Sequence, residues 1–457
     1  MGKVNCDVLV IGGGPAGGVS AVTAKMNYPQ KEVLVIREFE KQLVPCAIPY
    51  IFGKTLGSTE KDIAPCGMAT DMGISTLIGK VNDLDQENKI AYTDTDEISF
   101  DKLIFATGSE PFVHDSLKHA LTLKGVFTIP KNKIFIDEVK AYIDVKNEIL
   151  IVGSGFIGIE MALELPEAGK SVTVISASKH ILKHSFDREL ANQAKDLMVA
   201  AGVNYIGKDR VIEILANDDN NSVKAVKLLS GKVVDAEVVI LATGYKPNTD
   251  LAKKAGISLG HYGGIWVDEY MRTKNHDIFA VGDCSARRDF ITKDSSKVML
   301  ASTSAAEGRV AGSALYGIKY LKGFSGTIAI FSTLVAKTAF SSAGVTEEQA
   351  KSSGIDIVVG TFSGMNRHPG TIPGAQKQFV KLIAMKNGGQ IIGGQIIGGN
   401  ETGEMINIVG LMIESAINVY KIRSMQVATQ PMLTAAPTNY PIVMAAIMAI
   451  KEIENKS

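Results

Sequence analysis

Two copies of one glycine-rich pattern constrain the fold of this chain more than any other feature. Each copy follows a short apolar strand pattern, CDVLVI at 6–11 and EILIV at 148–152, and each leads into a segment with helical character. The glycines with the spacing G-x-G-x-x-G are Gly12, Gly14 and Gly17 in the first copy and Gly153, Gly155 and Gly158 in the second. One match alone is weak evidence, but two matches that each join a strand to a helix predict two nucleotide-binding units.

Each glycine of the pattern has its own physical reason. The first allows a tight turn, the second lets the backbone approach a pyrophosphate, and the third permits close packing of helix on strand. The free N–H groups at the start of the helix then face the phosphates. In the first copy, Pro15 and Ala16 complete the loop. We therefore expect one chain to bind two dinucleotides.

An acidic residue about 20 positions after such a fingerprint accepts hydrogen bonds from a ribose hydroxyl. After the first copy, the strand pattern EVLVIRE ends at Glu38, which is the candidate. After the second copy, SVTVIS ends at the neutral Ser176, and Lys179 and His180 follow closely. A neutral residue at the end of this strand, with cations nearby, would admit the 2′-phosphate of NADPH. Alternatively, Ser176 only holds the ribose of NADH less tightly than an acid would. NADH and NADPH therefore both stay open.

Length, charge and cysteine count narrow the class of protein. A chain of 457 residues is too long for one compact core, so about three domains are expected. Lys plus Arg and Asp plus Glu both number 48, which creates no field that points to nucleic acid or an acidic membrane surface. Four cysteines exclude a disulfide framework and suit a reducing compartment, and without a Cys/His cluster no structural metal is expected.

The chain shows no sign of targeting. It begins directly with a strand pattern, without the regions of a signal peptide, and the apolar run at 441–450 is too short to span a bilayer. The sequence therefore predicts a soluble cytoplasmic protein with neither nucleic-acid nor membrane partners.

Three further motifs follow the fingerprints: LIFATGSEP at 103–111, VILATGYKPN at 239–248 and TKNHDIFAVGDC at 273–284. With the fingerprints, and in this order, they resemble the two-dinucleotide-binding flavoproteins of the pyridine nucleotide-disulfide oxidoreductase family over nearly the whole chain. The resemblance implies that the first fingerprint binds FAD and the second binds NAD(P)H. It assigns Asp283 to the ribityl chain of FAD. The threonine–glycine pairs that mark crossings between the domains, near FAD and near NAD(P)H respectively, are Thr107–Gly108 and Thr243–Gly244.

The same resemblance implies an α/β fold with two Rossmann-like dinucleotide-binding domains and a C-terminal α+β dimerisation domain. Residues 1–112 and 250–325 would form a split FAD domain, and residues 113–249 an inserted NAD(P)H domain. Residues 326–457 would form an antiparallel sheet with helices that makes a homodimer. In this last part, GGQIIGGQIIGG at 388–399 predicts two strand edges around a turn.

The stretch LVPCAIPYIFGK at 43–54 contains a single cysteine. Family members with two active cysteines space them as C-x4-C, but position 51 is Ile51. The pattern C-x-x-P-Y, here Cys46, Pro49 and Tyr50, instead resembles the single-cysteine branch of coenzyme A disulfide reductases, NADH oxidases, and persulfide or polysulfide reductases. In that branch the cysteine cycles between a thiolate and a mixed disulfide, sulfenic acid or persulfide.

Local physics also favours a reactive thiol at Cys46. Proline is tolerated near the first turn of a helix, so Pro49 predicts that a helix through Tyr50 begins close to Cys46. Free N–H groups and the positive end of the helix dipole would then lower the pKa of the thiol. The alternative is a buried, inert cysteine. The two fingerprints favour redox activity, with the thiolate as nucleophile.

Lys54 lies eight residues after Cys46, about two helical turns along on the same side. In two-cysteine relatives, a lysine at this offset sits by the flavin and pairs with a glutamate, and Glu160 occupies the matching place after the second fingerprint. We expect a Lys54–Glu160 pair, against the alternative of a solvated lysine and an ordinary helical glutamate.

The other three cysteines have weaker reasons for a redox role. Cys6 begins a strand pattern and is expected in the core, whereas Cys284 follows Asp283 and is expected to pack beside the flavin. Cys66 could resolve a disulfide on Cys46, but no spacing requires it.

Departures from the family pattern bear on the acceptor. Peroxidases and water-forming oxidases of this branch carry a histidine in the first fingerprint, where this chain has Pro15 and Ala16, so an efficient peroxidase or four-electron oxidase is not expected. Coenzyme A-specific relatives hold phosphates with basic residues on the following helix, which here offers only Lys25. A smaller acceptor is therefore favoured.

A further departure concerns the general acid. The His-Pro pair that reaches the partner subunit's site in the family is replaced by Gln430–Pro431, and glutamine does not titrate. Tyr440 and Tyr50 are the candidate acids, each with the alternative role of an interface aromatic. If Tyr440 acts from the neighbouring subunit, the monomer would be inactive.

The leading hypothesis is an FAD enzyme that takes hydride from NADH or NADPH and, through Cys46, reduces a small disulfide, persulfide or polysulfide. The second is an NADH oxidase with oxygen as acceptor. The third is an electron-transfer or redox-sensor flavoprotein with a protein partner, for which the balanced charge offers no patch.

Overall fold

The computed structural model describes residues 2–65, 70–219, 221–320 and 323–455. Within these ranges, two parallel sheets of five strands and one antiparallel sheet of five strands organise the chain, which confirms the predicted α/β class with a C-terminal α+β part. The α-helices are Pro15–Asn27, Asp115–Lys118, Lys133–Asp144, Phe156–Glu167, Arg188–Ala200, Asp250–Lys254, Ala301–Ala314, Glu347–Ser352, Thr402–Glu414, Val419–Ile422 and Pro441–Asn455. The 3₁₀ turns are Pro45–Ile51, Thr59–Asp62, His119–Thr122, His261–Gly263, Gly282–Cys284 and Pro437–Asn439.

The first parallel sheet surrounds the first fingerprint. Its strands in spatial order are Ile278–Ala280, Lys102–Phe105, Val8–Ile11, Val33–Arg37 and Ser75–Ile78. The central strand, VLVI, is buried along its whole length, because a parallel sheet has both faces covered. This sheet combines strands from before residue 106 with a strand after residue 277, as a split domain requires. The exact domain boundaries at 112, 249 and 325 stay predictions.

Small residues bring the Asp283 turn against the first fingerprint. The helix Ala301–Ala314 packs on the helix Pro15–Asn27, and a Cβ on Gly312 would lie 2.7 Å from the carbonyl oxygen of Ser20. Gly282 has a φ of +76°, and its Cβ would lie 2.7 Å from that of Ala16. Glycine at these two positions therefore permits the close approach that places Asp283.

The second parallel sheet surrounds the second fingerprint. Its strands in spatial order are Val126–Phe127, Val238–Leu241, Glu148–Val152, Ser171–Ser176 and Asn204–Gly207. Smaller sheets are formed by Gly2–Asn5, Asp96–Ser99, Ile90–Tyr92 and Asp83–Asp85; by Val211–Ala216, Val223–Leu228 and Val233–Asp235; by Ser109–Pro111 with Tyr245–Pro247; and by Arg287–Arg288 with Ser295–Ser296.

The antiparallel sheet belongs to the C-terminal part. Its strands in spatial order are Phe331–Val335, Thr338–Gly344, Ile391–Gly398, Lys377–Met385 and Ile357–Met365. The predicted turn within GGQIIGGQIIGG is wrong, because Gly393 and Gly394 lie inside one continuous strand. A Cβ on Gly393 would lie 2.0 Å from the carbonyl oxygen of Val345, so these glycines serve close packing.

A buried lysine joins this sheet to the region after the second fingerprint. The Lys381 side chain is 2% exposed, and its ammonium lies 2.9 Å from Asp187 and 2.6 Å from Glu347, with Glu189 also in contact. The three carboxylates are close enough together to hold a metal ion, but the Lys381 ammonium occupies the position between them. Among the helices that the structure describes, none has both the length and the apolar character needed to cross a bilayer.

Candidate active site

Residues of both fingerprints and Cys46 line one large cavity. Its volume is about 2040 Å³, above the ~300–1,000 Å³ of a pocket for one small ligand, as two dinucleotides require. The predicted site residues that line it are Gly12, Gly14, Pro15, Ala16, Glu38, Cys46, Thr107, Gly108, Gly153, Gly155, Glu160, Ser176, Thr243, Gly244 and Asp283. Those that do not are Gly17, Tyr50, Lys54, Gly158, Lys179 and Tyr440.

The first fingerprint has the geometry that its glycines predict. A Cβ on Gly12, whose φ is +113°, would lie 2.2 Å from the carbonyl oxygen of Ala106, and one on Gly17 would lie 1.9 Å from that of Gly12. A Cβ on Gly14 would meet no atom of the described residues beyond its own neighbours within 4 Å, so the space beside its backbone is open. The helix Pro15–Asn27 begins here, without a side-chain cap or an acidic residue in its first turn. Its free N–H groups suit a pyrophosphate.

The second fingerprint repeats this geometry. A Cβ on Gly153, with a φ of +119°, would lie 2.2 Å from the carbonyl oxygen of Ala242, and one on Gly158 would lie 2.2 Å from that of Gly153. A Cβ on Gly155, like one on Gly14, would meet no described atom beyond its own neighbours within 4 Å. The helix Phe156–Glu167 also lacks a side-chain cap and an acidic first turn. Two equivalent cradles therefore open into one cavity.

Asp283 is held in the cavity by hydroxyl and cationic partners. The Ser109 hydroxyl and the Lys131 ammonium each donate a hydrogen bond of 2.8 Å to Asp283 Oδ2. Burial acts to raise the pKa of Asp283, but the charges of Lys131 and Arg287 outweigh it and lower the pKa below its ordinary value. An ionised carboxylate here accepts hydrogen bonds from sugar hydroxyls, which fits the FAD that the resemblance implies. Lys131 belongs to none of the sequence motifs, so no pattern indicated its role.

Cys46 faces the cavity from the 3₁₀ turn Pro45–Ile51, which begins one residue before it, close to where Pro49 predicts a helix start. The prediction that the pKa of the Cys46 thiol is lowered is wrong. Burial raises the pKa of the Cys46 thiol, the Glu160 carboxylate raises it further, and only Lys131 lowers it appreciably. The reason is that one short turn brings little dipole, while desolvation and a nearby anion both oppose the thiolate.

Glu160 lies in the same cavity and is tuned by the C-terminal part. Burial raises its pKa to about 7, and a hydrogen bond of 2.9 Å from the Thr333 hydroxyl partly opposes the rise. Such a carboxyl changes its protonation state near neutral pH, so it can hold or release a proton beside Cys46.

The predicted Lys54–Glu160 pair is not formed. The 3₁₀ turn ends at Ile51, so helical spacing does not extend to Lys54, which is exposed and pairs with no carboxylate that the structure describes. Thr55 instead donates a hydrogen bond of 2.8 Å to Glu164, one turn after Glu160 on the helix. The segment after Cys46 is therefore fixed to the second fingerprint helix by a hydrogen bond rather than by an ion pair.

The two candidate phenols are weak acids in this structure. Burial, followed by the charges of Glu160 and Glu164, raises the pKa of Tyr50 well above its ordinary value. Burial also raises the pKa of Tyr440, which packs against the apolar core of the C-terminal part and does not line its own chain's cavity.

A histidine missed by the sequence analysis lies beside the Gln430–Pro431 segment. His368 Nδ1 lies 2.9 Å from the carbonyl oxygen of Thr434, and the His368 backbone N–H donates to the carbonyl oxygen of Pro431 at 3.4 Å. The signal was the dipeptide His368–Pro369 itself, which sits in the loop before the strand Lys377–Met385.

The remaining cysteines that the structure describes lie outside the cavity. Cys6 is half-buried in the link between two strands rather than in a strand, and burial raises its pKa to about 12. Cys284 is fully buried, and its thiol donates to the carbonyl oxygen of Val281 at 3.2 Å. Cys66 falls outside the described residues.

Comparison with known proteins agrees with this geometry. The model of the pyridine nucleotide-disulphide oxidoreductase family matches residues 6–308, and that of its dimerisation domain matches residues 330–440. An NADH oxidase of Methanocaldococcus jannaschii is 29% identical over 98% of this chain and 99% of its own. An NAD(P)H coenzyme A polysulfide/persulfide reductase of Pyrococcus horikoshii is 32% identical over 84% of this chain and 86% of its own. The solved structure of an NAD-dependent persulfide reductase from A. fulgidus is 27% identical, with a TM-score of 0.88 over 99% of this chain and 84% of that one.

Proposed function

The chain belongs to the pyridine nucleotide-disulphide oxidoreductase family, and we propose that it passes electrons from NAD(P)H by way of FAD to Cys46 and on to a small disulfide, persulfide or polysulfide. Its relatives make it an FAD-dependent NAD(P)H oxidoreductase. The observation that carries the finer proposal is that, among the three cysteines that the structure describes, Cys46 alone lines the cavity shared by both fingerprints.

Bound FAD would supply the two-electron chemistry that links NAD(P)H, as hydride donor, to sulfur. The cradle at Gly14, the Glu38 carboxylate and the ionised Asp283 are the groups that would hold it, since all three line the first-fingerprint side of the cavity. The cradle at Gly155 would hold the nicotinamide dinucleotide.

The chemistry at Cys46 is thiol–disulfide exchange. The Cys46 thiolate attacks one sulfur of a disulfide RSSR, forms a mixed disulfide with it and expels the other sulfur as RS⁻, which takes up a proton. Two electrons then break the mixed disulfide, restore the Cys46 thiolate and release the second thiol after protonation. Because Glu160 has a pKa of about 7 and lowers the thiolate fraction of Cys46 when ionised, its protonated form favours the attack.

Protonation of the departing thiolate requires a general acid, and candidates come from the same chain and from its partner. Residues 330–440 match the dimerisation domain, so a homodimer is part of the proposal. Tyr440 remains a candidate acid from the partner, and His368 joins it because its imidazole rests on the segment at 430–434. Tyr50 is the candidate within the same chain.

A second candidate function is NADH oxidation by oxygen. It is favoured by the relative of Methanocaldococcus jannaschii named NADH oxidase, which this chain matches over 98% of its length. The first fingerprint carries Pro15 and Ala16, without a histidine to protonate a cleaved O–O bond, so reduction would stop at peroxide.

An anaerobic titration followed by an acceptor assay separates these functions. With Cys46 initially oxidised, the FAD-loaded protein should consume two hydride equivalents per flavin, and Cys46→Ser only one. Turnover with coenzyme A disulfide and polysulfide should fall by at least ~100-fold in Cys46→Ser, since the nucleophile is removed. Cys6→Ser is the matched control, because that thiol lies outside the cavity.

Oxygen consumption is measured beside these acceptors. An oxidase rate that is the same in wild type and Cys46→Ser, with no turnover of either sulfur acceptor in wild type, contradicts the proposal and selects the oxidase. Tyr440→Phe, His368→Gln and Tyr50→Phe then identify the acid: its loss slows turnover of the sulfur acceptor while reduction of the flavin by NAD(P)H keeps its wild-type rate.

A further inference from the structure

The tip of the strand Ser171–Ser176 offers no free acceptor for ribose hydroxyls. Ser176 is 4% exposed, and its hydroxyl lies 2.6 Å from the hydroxyl of Ser154 inside the second fingerprint. The backbone N–H of Ser178 also donates to Ser176 Oγ, at 3.2 Å. The position where an acid would usually accept from the ribose is therefore neutral, buried and already bonded.

The neighbouring carboxylate is also engaged. Among the cavity-lining residues in 176–185 and 209–212, Asp209 is the only acid. It accepts hydrogen bonds from the Ser230 hydroxyl and from the backbone N–H groups of Ser230 and Arg210. These contacts hold its pKa below the ordinary value, with Ser230 as the main cause, and bind the carboxylate into its own loop. Asp209 therefore connects its own turn to the turn at Ser230 and is not available to accept hydrogen bonds from a ribose.

Two cations face the cavity at the same place. Lys183 follows Leu182, whose backbone N–H donates to the carbonyl oxygen of Ser154 at 2.9 Å. Arg210 follows Asp209, whose backbone N–H donates to the carbonyl oxygen of Ser176 at 3.2 Å. Backbone hydrogen bonds therefore fix both segments against the fingerprint and the strand tip.

The side chains of Lys183 and Arg210 are exposed, and both residues line the cavity. Neither forms an ion pair with any residue in the described ranges, so both cations are available to a ligand in the cavity. His184 lines the cavity beside them. Lys179, the cation expected from the sequence, is exposed outside it.

We propose that this end of the cavity binds the 2′-phosphate of NADPH, with Lys183 and Arg210 as its charged contacts, so that NADPH is the preferred hydride donor. This proposal shares one assumption with the proposed function, namely that the second fingerprint binds the nicotinamide dinucleotide. A 2′-phosphate carries close to two negative charges near neutral pH. The guanidinium offers it a planar pair of donors and the ammonium a point charge. The 2′-hydroxyl of NADH, in contrast, meets only the Asp209 carboxylate, which Ser230 and Arg210 already engage.

The test begins with binding, so that it does not depend on the acceptor. Isothermal titration of the FAD-loaded protein with 2′,5′-ADP and with 5′-AMP isolates the 2′-phosphate contribution. We expect 2′,5′-ADP to bind about tenfold or more tightly, because charge-assisted hydrogen bonds to phosphate are among the stronger polar contacts. The preference should shrink as salt is added, since both cations are exposed.

Variants then assign the preference to residues. Anaerobic stopped-flow reduction of the flavin gives the apparent affinity for NADPH and NADH separately. Lys183→Gln and Arg210→Gln should each weaken NADPH by about tenfold and leave NADH within about twofold. Lys224→Gln is the control, as an exposed lysine that does not line the cavity. Ser176→Asp should reverse the preference toward NADH.

Two results would overturn the proposal. One is a wild-type protein that binds 5′-AMP as tightly as 2′,5′-ADP, and the other is an equal loss of NADPH and NADH affinity in the two cation variants. Either can occur while Cys46-dependent turnover of disulfide or polysulfide is intact. Conversely, failure of the sulfur assay leaves the nucleotide binding data interpretable, so the two proposals fail independently.

Discussion

The Thr333 hydroxyl donates a hydrogen bond of 2.9 Å to Glu160 Oε1, across 173 positions of sequence. Thr333 belongs to the first strand of the antiparallel sheet, and Glu160 to the helix that opens at the second fingerprint. The C-terminal part therefore lowers the pKa of a carboxyl that faces the cavity with Cys46 and whose pKa burial raises. A stacked ring pair beside it, Phe156 on Phe331 at 5.1 Å between centroids, joins the same two elements.

Thr333→Val should raise the pKa of Glu160 above its value of about 7, because a hydrogen bond to the ionised carboxylate is lost while burial stays. A shift of about one pKa unit is expected, the equivalent of ~1.4 kcal/mol. The pH profile of kcat/KM for a sulfur acceptor should show its limb near neutrality moving to higher pH. Thr333→Ser keeps the hydroxyl and should retain the wild-type profile; an unmoved limb in Thr333→Val would show that Thr333 does not tune Glu160.

Glu160→Gln should lower the pKa of the Cys46 thiol, since the carboxylate is the largest charge that raises it. The thiolate fraction at pH 7.5 rises, so alkylation by iodoacetamide should become faster and its pH midpoint should move down. Glu167→Gln, an exposed glutamate on the same helix, is the control. If alkylation in Glu160→Gln follows the wild-type profile, Glu160 does not act on Cys46 in the loaded enzyme.

The parts of the site that the sequence predicts well are those fixed by local sterics. Gly12 and Gly153 each have a positive φ and lie so close to a neighbouring backbone that a Cβ would not fit. Only glycine meets both conditions, so the spacing of the glycines in each fingerprint predicts them. Asp283 follows from a motif in the same way. These features depend on a few consecutive residues, so a pattern is enough to find them.

The features that the sequence predicts poorly depend on distant residues. Nothing near Glu160 indicates that its donor is Thr333, and the spacing from Cys46 to Lys54 misleads because the helical turn ends at Ile51. Gly393 fits both a turn and a crowded strand, and only its contact with Val345 decides between them. Long-range packing, which no local pattern encodes, sets the electrostatics of the cavity.

Lys381→Met should destabilise the protein by about 3–5 kcal/mol, because it leaves the carboxylates of Asp187, Glu189 and Glu347 close together without a cation. Thermal unfolding monitored by flavin release measures the loss. Lys351→Met removes only an exposed partner of Glu347, so its effect should stay within about 1 kcal/mol. In Lys381→Met the three carboxylates are free to hold a divalent cation, and millimolar Ca²⁺ should recover part of the lost stability. Equal melting temperatures of Lys381→Met and wild type would show that the ammonium does not hold the two regions together.

Gly155→Ala should separate nucleotide binding from folding. Gly155 has a φ of −77°, which alanine adopts without strain, and a Cβ there would meet no protein atom within 4 Å. The added methyl group occupies the space through which a pyrophosphate approaches the backbone, so the apparent affinity for NADPH and NADH should fall by at least about tenfold. FAD content and melting temperature should match wild type, because the first cradle is untouched. Gly158→Ala is the contrasting variant: its Cβ would lie 2.2 Å from the carbonyl oxygen of Gly153, so it should lose stability as well. A Gly155→Ala protein that is reduced by both nucleotides at wild-type affinity would place the nicotinamide dinucleotide outside this cradle.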